Sequence, residues 1–284
     1  MSHHTIREAL QQARDLLSAN LETNRHLEAE VLLGFTLGKP RSHLHAWPDK
    51  ALNSTQQETF FELVARRAQG EPIAHITGRR EFWSQELQIT PDTLIPRPET
   101  ELLVERALEL IPQHTSFHIA DLGTGSGAIA AAIASERPNS HILATDTSPA
   151  ALSVAEANFK RLQLANITTN IGAWCTALPS NDHFDIIISN PPYIADNDPH
   201  LWQGDLPHEP TCALISGGDG LDDIRIIIHQ APAHLKARGW LLLEHGYSQG
   251  NEVQQLLKER GFTQVRTLKD LEKRDRMTEG RFNH

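Results

Sequence analysis

The chain has 284 residues, a formal net charge of −10 and only two cysteines, Cys175 and Cys212. That length exceeds one typical domain and predicts two, while the acidic balance argues against wrapping a long polyanion, which needs a basic surface. Two cysteines make neither a disulfide framework nor a Cys-x-x-Cys metal spacing, histidine pairs such as His43/His45 and His229/His234 miss the i, i+4 ligand spacing, and no apolar run approaches the ~20 residues that span a bilayer.

No metal site, no membrane partner and no nucleic-acid substrate is therefore expected. Met1–Thr5 lacks signal-peptide character, so a cytoplasmic location is expected too. Residues 1–90 carry 10 basic and 11 acidic side chains, so nearly all of the negative charge falls on the remainder.

The first third reads as helices. Ile6, Leu10, Ala13, Leu16 and Leu17 recur at helical spacing, and a second stripe runs from Leu27 through Val31, Leu32 and Phe35 to stop signals at Gly38-Lys39-Pro40. A third helix is expected from Ser54, capped by Ser54 and Gln57, to Arg67, with Gly70 beyond. Residues 1–71 are thus expected to form a small helical bundle. From 72 to 96 the period shortens. Ile73, His75 and Thr77 alternate, Gly78-Arg79 offers a turn, and Phe82 to Ile89 alternates again, which predicts a β-hairpin linker. Pro98 then suits the first position of a helix, with Glu99 and Glu101 at its positive end.

Residues 97–284 alternate strand and helix. Strands are read at Phe117–Leu122, His141–Asp146, Ile167–Trp174, Phe184–Ser189, Trp240–His245, Phe262–Thr267 and Arg276–Phe282. Helices are read near Gly127–Glu136, Pro149–Leu162, Leu221–Lys236 and Gln249–Arg260. The pattern predicts an α/β fold with a doubly wound, mostly parallel seven-stranded sheet of Rossmann-like type, whose ligands bind at the carboxyl ends of strands. Asp121, Asp146, Trp174 and Asn190 fall at such ends.

Asp121-Leu122-Gly123-Thr124-Gly125-Ser126-Gly127 joins the first of these strands to a helix, and its glycines let a ligand approach bare backbone. Glycines that merely permit close strand–helix packing are the plainer alternative. Gly123, Gly125 and Ala128 also satisfy a dinucleotide fingerprint, and Asp146, able to accept from two ribose hydroxyls, suits NAD or S-adenosylmethionine equally. Trp174 either stacks on an adenine or belongs to the core.

Ile186-Ile187-Ile188-Ser189 runs straight into Asn190-Pro191-Pro192-Tyr193. Asn190 offers a carbonyl acceptor, the prolines stiffen the turn and aim backbone carbonyls, and Tyr193 offers a flat face, so the segment can seat one planar amide or amine. A proline-stiffened turn with structural Asn190 and Tyr193 is the alternative.

At this point the residues resemble class I S-adenosylmethionine-dependent methyltransferases, and among them the PrmC/HemK family that methylates glutamine N5 in class-1 peptide chain release factors. The likeness covers Gly70–His75, Arg80–Trp83, Leu94–Thr100, Asp121–Gly127, Ser189–Ile194 and Leu241–Gly246. The resemblance implies that Gly123, Thr124, Gly125, Ser126 and Gly127 line the methionine part of the cofactor S-adenosylmethionine, Asp146 holds the ribose, and Trp174 lies by the adenine. It implies that Asn190, Pro191, Pro192 and Tyr193 seat a glutamine from the Gly-Gly-Gln motif of a release factor, with Asn190, Pro191 and Tyr193 catalytic and Asn190 also facing the cofactor. Relatives often carry an acid just before the position of Trp174, where this chain has Ala173. Methylation of an adenine or cytosine amine in nucleic acid is the competing enzyme reading for the same tetrapeptide; a non-catalytic binding module for translation factors is the competing non-enzyme reading.

Overall fold

The computed structural model describes residues 4–17 and 24–283; the expectation about the start of the chain, at Met1–His3, falls outside them. The chain divides into two compact units, one running up to Arg79 and taking in His200–His208, the other comprising Arg80–Pro199 and Glu209–His284. This division differs from the boundaries read at 71/72 and 96/97, because it follows which residues pack together rather than where the sequence pattern changes.

The first unit holds α1 (Ile6–Leu17), α2 (Arg25–Leu37), α3 (Arg41–Ala46), α4 (Ser54–Ala68) and α5 (Ile73–Thr77). Helices α1, α2 and α4 pack on one another around Ile6, Ala9, Ala13, Leu33, Phe60 and Val64. Small Ala9 and Ala13 form the centre of the α1 face, which lets the helices approach closely, and Leu16, Leu27 and Phe35 stay substantially exposed although spacing puts them on the stripes. The α4 cap is shifted by one residue from the Ser54/Gln57 expectation. Asn53 Oδ1 accepts from the Gln56 amide at 2.8 Å and Gln56 Oε1 accepts from the Asn53 amide at 3.0 Å; both frames satisfy the capping-box pattern, and Asn caps as well as Ser. Buried Arg67 ties the later segment into this unit: its guanidinium donates to Glu28, to the carbonyls of Gly70 and Glu71, and to Asp205 at 2.8 Å.

Residues 73–77 correct the hairpin reading. They form α5, with Ala74 and Ile76 buried and Gly78 (φ 69°) closing it, because five residues are too few to separate a period of 2 from one of 3.6. The hairpin itself is β1 (Arg79–Phe82) and β2 (Gln85–Gln88), turning at Trp83 and Ser84, both at positive φ as a two-residue turn demands.

The second unit continues with a 3-10 turn at Pro98–Thr100, α6 (Glu101–Leu110), β3 (His118–Leu122), α7 (Ala128–Glu136), β4 (His141–Asp146), α8 (Pro149–Arg161), β5 (Ile167–Ile171) and β6 (Phe184–Ser189). It ends with α9 (Asp222–Gln230), β7 (Leu235–Glu244), α10 (Gly250–Glu259), β8 (Thr263–Lys269) and β9 (Asp275–Arg281). Seven strands form one sheet in the order β5-β4-β3-β6-β7-β9-β8. Pairs among β5, β4, β3, β6 and β7 are parallel, whereas β9 runs antiparallel to both neighbours. The apolar runs Ile186–Ile188 and Leu241–Leu243 are buried on both faces, as central parallel strands require.

Two strand ends differ from expectation. β5 stops at Ile171, so Trp174 opens a 3-10 turn at Trp174–Ala177 with φ 47° instead of ending the strand. β7 begins at Leu235, inside the helix read for Leu221–Lys236, because Pro232 lacks the N–H that α9 would need to continue.

Candidate active site

The chain winds outward from β3 through β4 to β5, then crosses back to place β6 on the other side of β3, which makes the gap between β3 and β6 the topological switch point. Leu122 pairs with Ser189 across that gap, so the loops beginning at Gly123 and Asn190 start side by side. Ser189 Oγ donates to the Leu122 carbonyl at 2.7 Å and fixes their relative height.

A cavity of about 250 Å³ opens there, and Gly123, Thr124, Gly125, Ser126, Asp146, Trp174, Asn190 and Pro192 all lie on its wall. Gly125 sits at φ 56° with nothing within 4 Å of where a Cβ would project, which presents open backbone to the cavity. Gly127 is different. A Cβ there would lie 2.5 Å from the Phe159 ring, so this glycine lets α7 pack against α8, and it is not on the cavity wall. Asn158 ties these parts together, donating to the carbonyls of Ser126 and Gln88 and accepting from the Gln88 amide.

Asp146 Oδ2 accepts from the Gly125 amide and Oδ1 from the Ser148 amide, each at 2.9 Å, which holds the carboxylate at the cavity rim with further lone pairs to offer. Below it, Asp121 is buried, its Oδ2 accepting from Thr124 Oγ1 at 2.6 Å while Oδ1 has no hydrogen-bond partner among the described residues. Burial pushes its pKa up to about 7, and the nearby Asp146 charge adds to the rise. The Trp174 indole N–H donates to Asp223 Oδ1 at 3.1 Å, and the ring lies against Gly123.

Asn190 Nδ2 donates to Thr100 Oγ1 at 3.2 Å, which leaves the side-chain oxygen Oδ1 outside that bond. Pro191 and Tyr193 do not line the cavity. Tyr193 is directed inward, donating from its hydroxyl to Glu244 Oε1 at 3.2 Å, and burial raises its pKa further above the usual phenol range. Two wall segments escaped sequence reasoning as site elements: Asp92–Pro96 with Thr100, and Pro210–Ala213 with Asp223. Glu209 links them, accepting from the Ile95 amide at 2.9 Å and pairing with Arg97. Only the long-range fold brings these segments together; Leu94–Thr100 carries the family likeness in sequence without being placed at the site.

Among the described residues, the wall carries the carboxylates of Asp92, Asp146 and Asp223 and no lysine or arginine. That electrostatic character suits a cationic nucleoside and disfavours the two phosphates of a dinucleotide.

The description "PrmC N-terminal domain" matches residues 8–78, and "Methyltransferase small domain" matches residues 99–221. The catalytic domain of hMettl16 in complex with an RNA hairpin shares the fold at TM-score 0.60 and 18% identity, covering 78% of this chain and 81% of that one. A methyltransferase from Pyrococcus furiosus does so at TM-score 0.54 and 17% identity, covering 78% and 98%. Sequence relatives are far nearer. A protein of Coxiella burnetii named release factor glutamine methyltransferase is 50% identical over 96% of this chain and 97% of its own length. One of Pseudomonas aeruginosa with the same name is 50% identical over 90% and 92%. This chain is therefore a methyltransferase and belongs to the family of release factor glutamine methyltransferases.

Proposed function

We propose that the protein transfers the methyl group of S-adenosylmethionine to the side-chain nitrogen (N5) of the glutamine in the Gly-Gly-Gln motif of class-1 peptide chain release factors, in the cytoplasm. The observation that carries this reading is Asn190 on the cavity wall beside the glycine loop, its Nδ2 engaged by Thr100 and its Oδ1 outside that bond. The cofactor, when bound, supplies an electrophilic methyl on a sulfonium.

The chain's task is mostly one of geometry. An amide nitrogen is a poor nucleophile because its lone pair is delocalised into the carbonyl, so it must be held in line and its N–H bonds must be polarised. In this reading Asn190 Oδ1 accepts one N–H bond of the target amide, and the Pro191 carbonyl, which lies off the cavity wall in this structure, turns toward the seated amide to accept the other. Pro192 supplies the adjoining wall, and Tyr193, anchored to Glu244, braces the tetrapeptide. Gly123 to Ser126 and Asp146 hold the methionine and ribose portions, Gly127 behind them sets the helix packing, and Trp174 covers the adenine. Asp223, on the same wall beside Trp174, is an acidic group near the place where Ala173 offers none. The methylated amide is strongly acidic and sheds its extra proton to water, so no general base is needed.

A nucleic-acid amine would fit the same tetrapeptide, but a net charge of −10 and a wall without basic residues support a protein substrate instead. Incubation with labelled S-adenosylmethionine and an unmodified release factor tests the proposal. Label appears on the wild-type factor and is lost when its Gly-Gly-Gln glutamine is replaced; label that persists on the replaced factor contradicts it.

A further inference from the structure

The Asn190–Tyr193 loop is held at both of its ends. At its start, Ser189 Oγ donates to the Leu122 carbonyl at 2.7 Å. At its end, Gln249 Nε2 donates to the Tyr193 carbonyl at 3.0 Å and to the Asp219 carbonyl at 3.1 Å, while Gln249 Oε1 accepts from the Gly246 amide at 2.8 Å. One side chain thus joins the loop after β6, the loop before α9 and the turn after β7.

Gln249 occupies the N-cap of α10, where Asn, Asp or Ser would satisfy a free helix amide, yet its side chain makes no such bond and turns back to the sheet. Two glycines leave it room. A Cβ on Gly220, at φ 76°, would lie 2.3 Å from the Tyr193 carbonyl oxygen and 2.9 Å from Gln249 Nε2, and one on Gly246 would lie 3.0 Å from Gln249 Oε1. The residues around this amide are therefore shaped to the contact.

Holding both ends fixes the loop because little between them can turn. Pro191 and Pro192 have locked φ, the residue before each proline is confined to extended ψ, and the peptide units are planar. A shift of the Tyr193 carbonyl is then passed back to Pro192 and Asn190 on the cavity wall. We propose that Gln249 is a positioning residue for methyl transfer, which by holding the Tyr193 carbonyl sets where Asn190 meets the target amide. The inference rests on the reading of Asn190 as substrate acceptor. The Tyr193 ring is anchored separately through its hydroxyl on Glu244, so Gln249 governs the backbone of the loop. The cofactor side has its own supports: Asp223 accepts from Trp174 and Ser216, and Asp219 Oδ1 accepts from the Leu221 amide. Loss of Gln249 therefore disturbs the seat of the target more than that of the cofactor.

The test compares full-length wild type, Gln249→Glu, Gln249→Met, Gly220→Ala and Asn190→Ala. It reads kcat and KM on an unmodified release factor, affinity and stoichiometry for S-adenosylhomocysteine by calorimetry, and melting temperature. Gln249→Glu keeps the shape and the acceptor for the Gly246 amide, but when ionised it has no proton for either carbonyl. Both Gln249 variants are expected to lower kcat about tenfold to a hundredfold per molecule that binds S-adenosylhomocysteine. KM for the release factor and S-adenosylhomocysteine affinity stay within about threefold, because misaligned reacting groups lose rate before binding. Gly220→Ala pushes on the same carbonyl and lowers kcat too, so adding it to Gln249→Met costs no more than about threefold beyond the larger single loss.

A purely structural amide gives another pattern: a lower melting temperature with wild-type kcat in the molecules that bind S-adenosylhomocysteine. That pattern, a loss of S-adenosylhomocysteine affinity as large as the loss of kcat, or kcat losses that multiply in the double variant, overturns the inference. If Gly220→Ala fails to fold, as lost S-adenosylhomocysteine binding would reveal, the two Gln249 variants decide alone. An Asn190→Ala enzyme of undiminished rate removes the underlying reading instead, whereas an inactive Asn190→Ala beside an unimpaired Gln249→Glu removes the inference only.

Discussion

The loops that leave β3 and β6 begin from the paired residues Leu122 and Ser189 and face the same cavity, yet they work by opposite means. The glycine loop acts through what it omits: at Gly125 a side chain is absent from open space, and at Gly127 from a space already filled by Phe159. The Asn190–Tyr193 loop acts through side chains whose orientation depends on Thr100 and Glu244, 90 and 51 residues away from their partners in sequence. A backbone site can therefore be written in seven consecutive residues, while a side-chain site needs the assembled sheet.

Substitutions should separate the two loops. Asn190→Ala is expected to lower kcat by roughly 10²–10³, the usual cost of removing one oriented hydrogen-bonding group at a reacting centre, with little change in cofactor affinity. Steady-state kinetics beside calorimetry reads this, and an equal loss of cofactor affinity would mean the two loops share their roles. Gly127→Ala should act on folding, not on binding. A Cβ 2.5 Å from Phe159, at φ 83°, is expected to cost about 2–4 kcal/mol in a denaturant titration, from overpacking and left-handed strain together.

Asp146→Ala should chiefly weaken the cofactor, by about 1.5–3 kcal/mol or roughly tenfold to a hundredfold, the range for hydrogen bonds to a charged group. Turnover at saturating cofactor that fell as far as in Asn190→Ala would contradict this division. A pH-dependent effect concerns Asp121 beneath the glycine loop. Folded Asp121 keeps its proton to about pH 7 while the unfolded chain releases it near 3.8, so between those values the folded state binds more protons. Its contribution to stability is then present at low pH and lost as pH rises, at up to about 1.4 kcal/mol per pH unit. Unfolding titrations of wild type and Asp121→Asn should diverge across that window, and parallel curves would exclude the buried proton.

Much of the sheet was legible in the sequence because its central strands are continuous apolar runs ending in Asp146 or Asn190, a pattern that buried parallel strands produce locally. The short pieces were not. Residues 73–77 satisfy two periods at once, α3 spans six residues, and Asn53 and Ser54 begin overlapping capping frames. The glycine loop and the Asn190 position on the wall follow from their places at strand ends. Glu209, Asp223 and Glu244 could not be assigned to the site that way, since each gains its meaning from a partner on another element: Ile95, Trp174 and Tyr193 respectively.

Mass spectrometry of a release factor incubated with this protein and S-adenosylmethionine tests the central claim most directly. The account predicts one added methyl group on the glutamine of the Gly-Gly-Gln motif, present with wild type and absent with Asn190→Ala. A methyl group on another residue, or an unmodified glutamine after incubation with wild-type protein that demonstrably binds S-adenosylhomocysteine, would contradict it.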